Sequence, residues 1–481
     1  MMKTLSLRIL ATLIALMLIV SLTACGGTGD VDSDPTTESS QAESDISAPE
    51  SDSTTSADQS SDSTSRTKRS TATGAAKAKT WDEIKAMIPA SANGVTLRVY
   101  DWNPTSEVPG MEKVNKNFTK ETGIKLKYDI VTYNSYFTKI TSEVAAKNAP
   151  DAVRLQNVSK QNLINLQPFN STGYDFTDPA WDKTVMDAYT FNGNLYGVNM
   201  VDSPYYSPYI VYYNKRLIEN HGLEDPYELW KDGKWSWDVL WDMIKDFMKE
   251  ADGDDFIGLS TMAGMEYQLA YNKPAIVYDK KANTFAHNLK DQKFVKSWQL
   301  FANYYDKGYI SQSLTNNDAF NAGKLLFNVS TGIASRNGSS YFSELRGEGA
   351  VACVPLPALE EGGKDHQKLQ ELQAFGIPKT AKNANLVPYY LRYYFDVKNY
   401  NMDGFYNVDN AAEVIKYIQG KNPAIDYAGA VMSEEQTGFN DAQFVDKLKT
   451  GGAANVTVTL DGYIPVVEAA MKEAQAFFAS L

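Results

Sequence analysis

Apolar and polar positions keep two periods along the chain after about residue 80, and those periods set out its elements. Residues 95–100 alternate as Val95, Leu97 and Val99 against Thr96 and Arg98, which predicts a strand leading into the loop Asp101-Trp102-Asn103-Pro104. A helical pattern over 111–122 stops at Gly123, a residue suited to ending a helix. A second strand is expected at 124–131, a helix at 135–147, and then the turn and strand Ala149-Pro150-Asp151-Ala152-Val153. Strands alternating with helices predict an α/β fold with a mainly parallel sheet and helices on both faces. In such sheets ligands gather at the loops leaving the strands' C-terminal ends. That nominates Asp101, Trp102 and Asn103, and, in the loop 154–159, Arg154, Gln156 and Asn157.

The next stretch, 190–217, breaks this rhythm. Asn192-Gly193-Asn194 sits between two apolar-aromatic runs, a hairpin signal. A further extended run covers 209–213. Between the runs lie Ser203-Pro204 and Ser207-Pro208, with Tyr205 and Tyr206 between the prolines. Proline fixes φ and restrains its predecessor, so the segment should be extended and stiff. It is expected to present exposed tyrosines on the floor of a cleft between two lobes. Beyond it, a short helix is expected at 215–222 and a strongly periodic one at 236–249, with Ser236 as N-cap. Trp237, Leu240, Trp241, Ile244 and Phe247 form the buried stripe of that second helix, and this spacing marks its tryptophans as core. Helices are further expected at 294–305, 388–395, 411–418 and 464–478.

Both termini of the pattern differ from its middle. Lys3 and Arg8 precede an apolar run over 9–20, too short for a bilayer span and ending in Leu22-Thr23-Ala24-Cys25. This is an export signal, and its end resembles the bacterial lipobox, in which cleavage leaves the cysteine N-terminal and lipidated. Residues 26–79 are rich in Ser, Thr, Asp and Ala and nearly free of large apolar side chains. Such a segment cannot offset its ordering entropy, and as a tether it reaches roughly 40 Å. About 400 residues remain, too many for one core and suited to two lobes. The formal net charge of −13 argues against nucleic acid, which needs a basic footprint. With Cys25 lipidated, Cys353 is left without a disulfide partner in its apolar run, as a buried packing residue.

Several short motifs, in order, carry a resemblance. Ala145-x-x-x-Ala149-Pro150-Asp151, the run 192–198 (NGNLYGV) with 212–215 (YYNK) after it, and 234–238 (KWSWD) are three of them. Phe320-x-x-Gly323-Lys324, Val354-Pro355-Leu356-Pro357 and Phe375-Gly376-Ile377-Pro378-Lys379 follow. Together, over roughly 95–395, they are similar to the extracellular solute-binding proteins of carbohydrate ABC transporters. The resemblance implies a two-lobed, type II periplasmic-binding-protein-like fold whose lobes are joined by a hinge. The expected division is 80–205 plus 373–425 for the first lobe and 206–372 plus 426–481 for the second, after a signal peptide at 1–24 and a lipidated tether at 25–79. It also implies a short strand at 256–259, and a helix at 264–270 whose start brings Met265, Tyr267 and Gln268 to the cleft. The loop after Phe327 is expected to add Gly332 and Arg336, where relatives often carry a tryptophan platform. Asp202, Tyr205 and Tyr206 complete the ligand-binding set.

The chemistry absent is as informative. His221, His287 and His366 stand far apart, no G-x-S-x-G elbow exists, and Gly323-Lys324 lacks the upstream glycine and the hydroxyl of a phosphate loop. Asp252-Gly253-Asp254-Asp255 lacks a loop-closing glutamate and reads as a turn. No metal and no cofactor is expected, and no catalytic residue is nominated. What remains is recognition of a polyol by aromatic rings and planar polar groups. The expected function is capture of a carbohydrate, an oligosaccharide, by a monomer lipid-anchored through Cys25 to the outer face of a Gram-positive cell membrane, which hands it to permease subunits. A non-sugar solute such as a peptide, or an anchored glycan hydrolase, are the alternatives.

Overall fold

A computed structural model describes residues 77–481 apart from 104–107, 157, 207, 252–254, 261–273, 312–316, 359–371, 420–426, 428–430 and 432–441. The expected export signal, most of the tether and the expected helix at 264–270 lie outside the described residues. The strands, in chain order, are β1 (Thr96–Asp101), β2 (Lys125–Ile130), β3 (Ala152–Leu155), β4 (Leu166–Gln167), β5 (Thr190–Phe191), β6 (Asn194–Leu195) and β7 (Tyr209–Asn214). They continue with β8 (Ile257–Ser260), β9 (Ile276–Asp279), β10 (Thr284–His287), β11 (Ile310–Ser311), β12 (Leu325–Thr331), β13 (Val351–Pro355) and β14 (Ala374–Pro378).

Two five-stranded sheets result, ordered β2-β1-β3-β14-β4 and β11-β8-β12-β7-β13, beside the short hairpins β5-β6 and β9-β10. In the first sheet β1 runs parallel to β2 and β3, while β14 opposes β3 and β4. In the second, β8 runs parallel to β11 and β12, while β7 opposes β12 and β13. Each sheet is therefore mixed, with a single strand against the rest. That strand is the one built as the chain arrives from the other sheet: β7 on the way out, β14 on the way back. The two crossings touch, since Val198 and Phe375 exchange backbone hydrogen bonds of 3.1 Å in both directions. A third contact follows where Asn337 N donates to Phe405 O (2.8 Å) and Asn407 N to Ser335 O (2.9 Å).

Local sequence explains the flanking elements. Leu97 and Val99 face one side of β1, in a core with Phe118 of the helix Met111–Thr122 and Leu391 of the helix Val387–Tyr394. Tyr100 faces the other side, with Tyr136 and Ile140 of the helix Tyr133–Ala145. Gly123 ends the helix Met111–Thr122 at φ 73°, and a Cβ there would lie 2.1 Å from Asn93 Oδ1, so glycine is required on both counts. Ser236 caps the helix Trp237–Glu250 by accepting from Val239 N, and the expected stripe is buried. Trp241 stacks on Tyr304 at 4.2 Å and 6°, which ties that helix to Gln292–Asp306. Cys353 is buried beside Asp409 O, and burial pushes its thiol pKa up.

One helix is much longer than its pattern suggests. Residues 464–478 are the tail of a helix that starts after the non-helical Gly452 (φ 58°), and it packs on Gln292–Asp306. Val456, Leu460, Ile464, Val467, Ala474 and Phe478 form its buried face. Gly462 and Pro465, both poor helix formers, hide the front of this stripe from a reading by propensity.

Gly376, in β14, tests the packing of the first sheet. A Cβ at this position would lie 2.8 Å from Leu166 Cδ1 and 3.0 Å from the backbone oxygen of Tyr196. We expect Gly376→Ala to lower stability by about 1–3 kcal/mol through overpacking, read as a drop in thermal midpoint. Gly347→Ala, with nothing within 4 Å, should leave that midpoint nearly unchanged.

Candidate functional site

The C-terminal end of β1 carries the densest polar cluster described. Asp101 is 0 % exposed and Arg154, on β3, is 1 % exposed. Arg154 Nη1 donates to Asp101 Oδ1 at 3.0 Å, and Arg154 Nε donates to Gln373 Oε1 at 2.9 Å. The Tyr128 hydroxyl donates to Asp101 Oδ2 at 2.8 Å, the Tyr205 hydroxyl to the same oxygen at 3.3 Å, and Asn103 N to Oδ1 at 3.0 Å. Tyr394 closes the group by hydrogen bonding to both tyrosine hydroxyls. Burial by itself disfavours the Arg154 charge, yet the charge of the neighbouring Asp101 raises the guanidinium pKa above its ordinary value. Burial, and next the Asp101 charge, push Tyr205 well above the usual phenol range. A carboxylate and a guanidinium both stripped of water persist because these partners occupy their polar atoms.

This cluster corrects one expectation. Tyr205 and Tyr206 are not exposed: they are 1 % and 6 % accessible. Tyr205 gains an ion-pair neighbour for its hydroxyl and the rings of Phe375, Tyr394 and Phe395 around it. Tyr206 faces the other way, onto a cavity of about 660 Å³ lined also by Phe176, Trp181, Asp182, Lys183 and Gln419. The structure thus assembles Asp101, Trp102, Asn103, Arg154 and Tyr205 in one place, with only Trp102 and Asn103 partly accessible. Gln156, partly accessible, leaves β3 beside them.

Trp102 is the part of the cluster that meets solvent. The Arg154 guanidinium lies 4.5 Å from its ring centroid and 4.9 Å from that of Tyr205. Tyr136 and Tyr133 press edge-on against the indole at 4.9 and 5.4 Å. The indole is therefore fixed before any ligand arrives.

On the second sheet, Gly332 opens the 3₁₀ turn after β12, and its N–H donates to Pro208 O at 2.8 Å. Arg336, 1 % exposed, directs Nη2 to Tyr206 O at 3.5 Å, with the Phe405 ring 5.9 Å away. This pair fastens the end of β12 to the first crossing. Asp202 is exposed and stands apart from both groups. Asn157, Met265, Tyr267 and Gln268 lie outside the described residues. Sequence reasoning missed Tyr128, Tyr136, Gln373 and Tyr394. Only Tyr128, inward-facing on a strand, left a local sign; Gln373 left none. Among the described residues no group of three or more His, Cys, Asp or Glu could hold a metal ion, and no helix is long and apolar enough to cross a membrane.

Asp101→Asn leaves the buried Arg154 charge uncompensated, and we expect a loss of about 3–5 kcal/mol. Combining it with Arg154→Met should restore part of that loss in chemical denaturation. The tyrosine cluster sets an alkaline limit. Burial raises the folded-state pKa of Tyr128, Tyr205, Tyr390 and Tyr394 above the unfolded value of about 10. Their contribution is complete below pH about 10 and is lost as pH rises past it. Absorbance at 295 nm should therefore show these tyrosines ionising together with loss of the far-UV signal.

Comparison with known proteins places this geometry. The family model described as bacterial extracellular solute-binding protein matches residues 113–409. The GacH receptor of Streptomyces glaucescens, solved unliganded and with acarbose, is 15 % identical; the match covers 78 % of this chain and 98 % of that one at a TM-score of 0.56. An extracellular solute-binding protein from Staphylococcus aureus in complex with maltose is 15 % identical over 78 % and 98 %, TM-score 0.57. The sugar-binding protein MalE of Xanthomonas citri is 15 % identical over 80 % and 98 %, TM-score 0.51. These likenesses show the two-lobed α/β fold. No curated protein sequence matches the chain.

Proposed function

The chain belongs to the bacterial extracellular solute-binding proteins, and from that premise we propose that it captures a carbohydrate, an oligosaccharide, between its two sheets and delivers it unchanged to an ABC importer. The observation that carries this reading is Trp102: a rigid, partly accessible indole with Asn103 and Gln156 beside it at the strand ends of the first sheet. A sugar offers an apolar C–H face to such a ring and hydroxyls to such amides. The proteins similar in fold include one solved with acarbose and one with maltose, which supports the same ligand class.

Closure would bring the second sheet over Trp102 by bending in the crossings beyond their first-sheet anchors at Tyr205 and Gln373. The lobes follow the division 80–205 with 373–425 and 206–372 with 426–481, with one change. The helix Ala411–Gln419 packs on β13, and its Glu413 pairs with Lys231 at 2.7 Å, so it travels with the second lobe. No bond of the ligand is broken in this scheme, and the protein acts as a monomer. A lipid on Cys25 holds it at the outer face of the membrane, and the tether gives it reach toward the permease.

Titration calorimetry against mono- and oligosaccharides, run beside a turnover assay on the same panel, tests this. Binding without product is the expected result. Product formation would make the protein a hydrolase, and silence across the panel with binding of peptides would replace the ligand class. Expressed in a bacterial host, Cys25→Ser should release the protein from the membrane fraction.

A further inference from the structure

Among the described residues, large apolar side chains that remain exposed are few, and most stand singly, as at Met87, Ile164 and Met402; scattered cases of that kind need no function. Ile130 and Tyr133 differ. They are 47 % and 42 % exposed, and they sit three residues apart at the C-terminal end of β2. Ile130 pairs in register with Asp101, so both lie at the strand edge that carries Trp102.

Tyr133 is exposed and yet held. Its ring meets Trp102 at 5.4 Å and 83°, and Phe137 at 5.9 Å and 81°. Edge-to-face contacts on two sides fix the ring's orientation without covering it. A side chain already ordered gives up little rotamer freedom when a ligand arrives. Thr132, Asn134 and Ser135 around it are exposed and polar, which suits a ligand with a flat apolar face and a rim of hydroxyls. Nothing in the local pattern singled this tyrosine out, because its partners are assembled by the sheet.

We propose that Tyr133, with Ile130 beside it, forms an outer carbohydrate subsite that stacks on a sugar ring beyond the one seated at Trp102. The site then selects chains of linked rings over free monosaccharides. The inference rests on the carbohydrate reading above and adds chain-length selection to it.

The test is calorimetry of the full chain against a malto- and a xylo-oligosaccharide series, from monosaccharide to hexasaccharide, with wild type, Tyr133→Ala and Tyr133→Phe. In the wild type, affinity should rise with length. Tyr133→Ala should lose about three- to tenfold more for the longer members than for the monosaccharide, the worth of one ring contact. Tyr133→Phe, which retains the ring, should behave as wild type. Equal loss at every length would mean that Tyr133 only props Trp102, and the subsite would be wrong. No loss at any length, or a wild-type affinity independent of length, would also overturn it. A wild type silent on every glycan would instead sink the carbohydrate reading itself, and the subsite with it.

Discussion

The buried pair of Asp101 and Arg154 is the constraint on which the rest of the molecule turns. At 3.0 Å, with exposures of 0 % and 1 %, neither charge has water to solvate it. Removing such ions from water costs several kcal/mol each, and the attraction between them need not exceed that sum. The pair is tolerable only if every remaining polar atom finds a partner, and the partners come from separate parts of the chain. Tyr128 comes from β2, Tyr205 from the first crossing, Gln373 from the second, and Tyr394 from the helix Val387–Tyr394. The requirement to satisfy one ion pair therefore pins both crossings to the same end of the first sheet.

With Tyr205 and Gln373 tied down, each crossing is anchored at its first-sheet end. The same ion pair reaches the accessible surface through Trp102, whose indole lies against the Arg154 guanidinium and between tyrosine edges. Buried charges thus hold a ring that solvent can reach. Arg336 and Gly332 fasten the second sheet to Tyr206 and Pro208, while the neighbouring Tyr205 is held by the first.

Particular residues show how far the sequence could be followed. Gly123 and Ser236 were legible as a stop and a cap because their effect is spent within one helical turn. The Asn192-Gly193 hairpin was legible for the same reason, and it forms β5-β6. Tyr205 is neither exposed nor in extended chain: it is buried in a turn closed by Tyr206 N donating to Ser203 O at 2.9 Å, and the flanking prolines say nothing about which side an acid waits on. Tyr394, on the expected helix at 388–395, is core, but its hydroxyl also completes the Asp101 cluster. The helix that follows Gly452 shows in the sequence only at its end, since Gly462 and Pro465 argue locally against a helix that packing on Gln292–Asp306 sustains.

By itself the amino-acid order determined the alternation of strands and helices, their caps and stops, and the loops at strand ends where Trp102 and Asn103 sit. Those features depend on neighbours a few residues away, and such neighbours are written side by side. Tertiary structure alone decided which strand in each sheet runs against the others, which tyrosines turn inward, and which one, Tyr133, stays exposed yet fixed. Arg154 meets Asp101 across 53 positions, Tyr205 meets Tyr394 across 189, and Gln373 meets Arg154 across 219. A hydrogen bond over such separations leaves no periodic trace, because any distant polar residue of the right shape could have served, and only the closed geometry of the sheets selects the one that does.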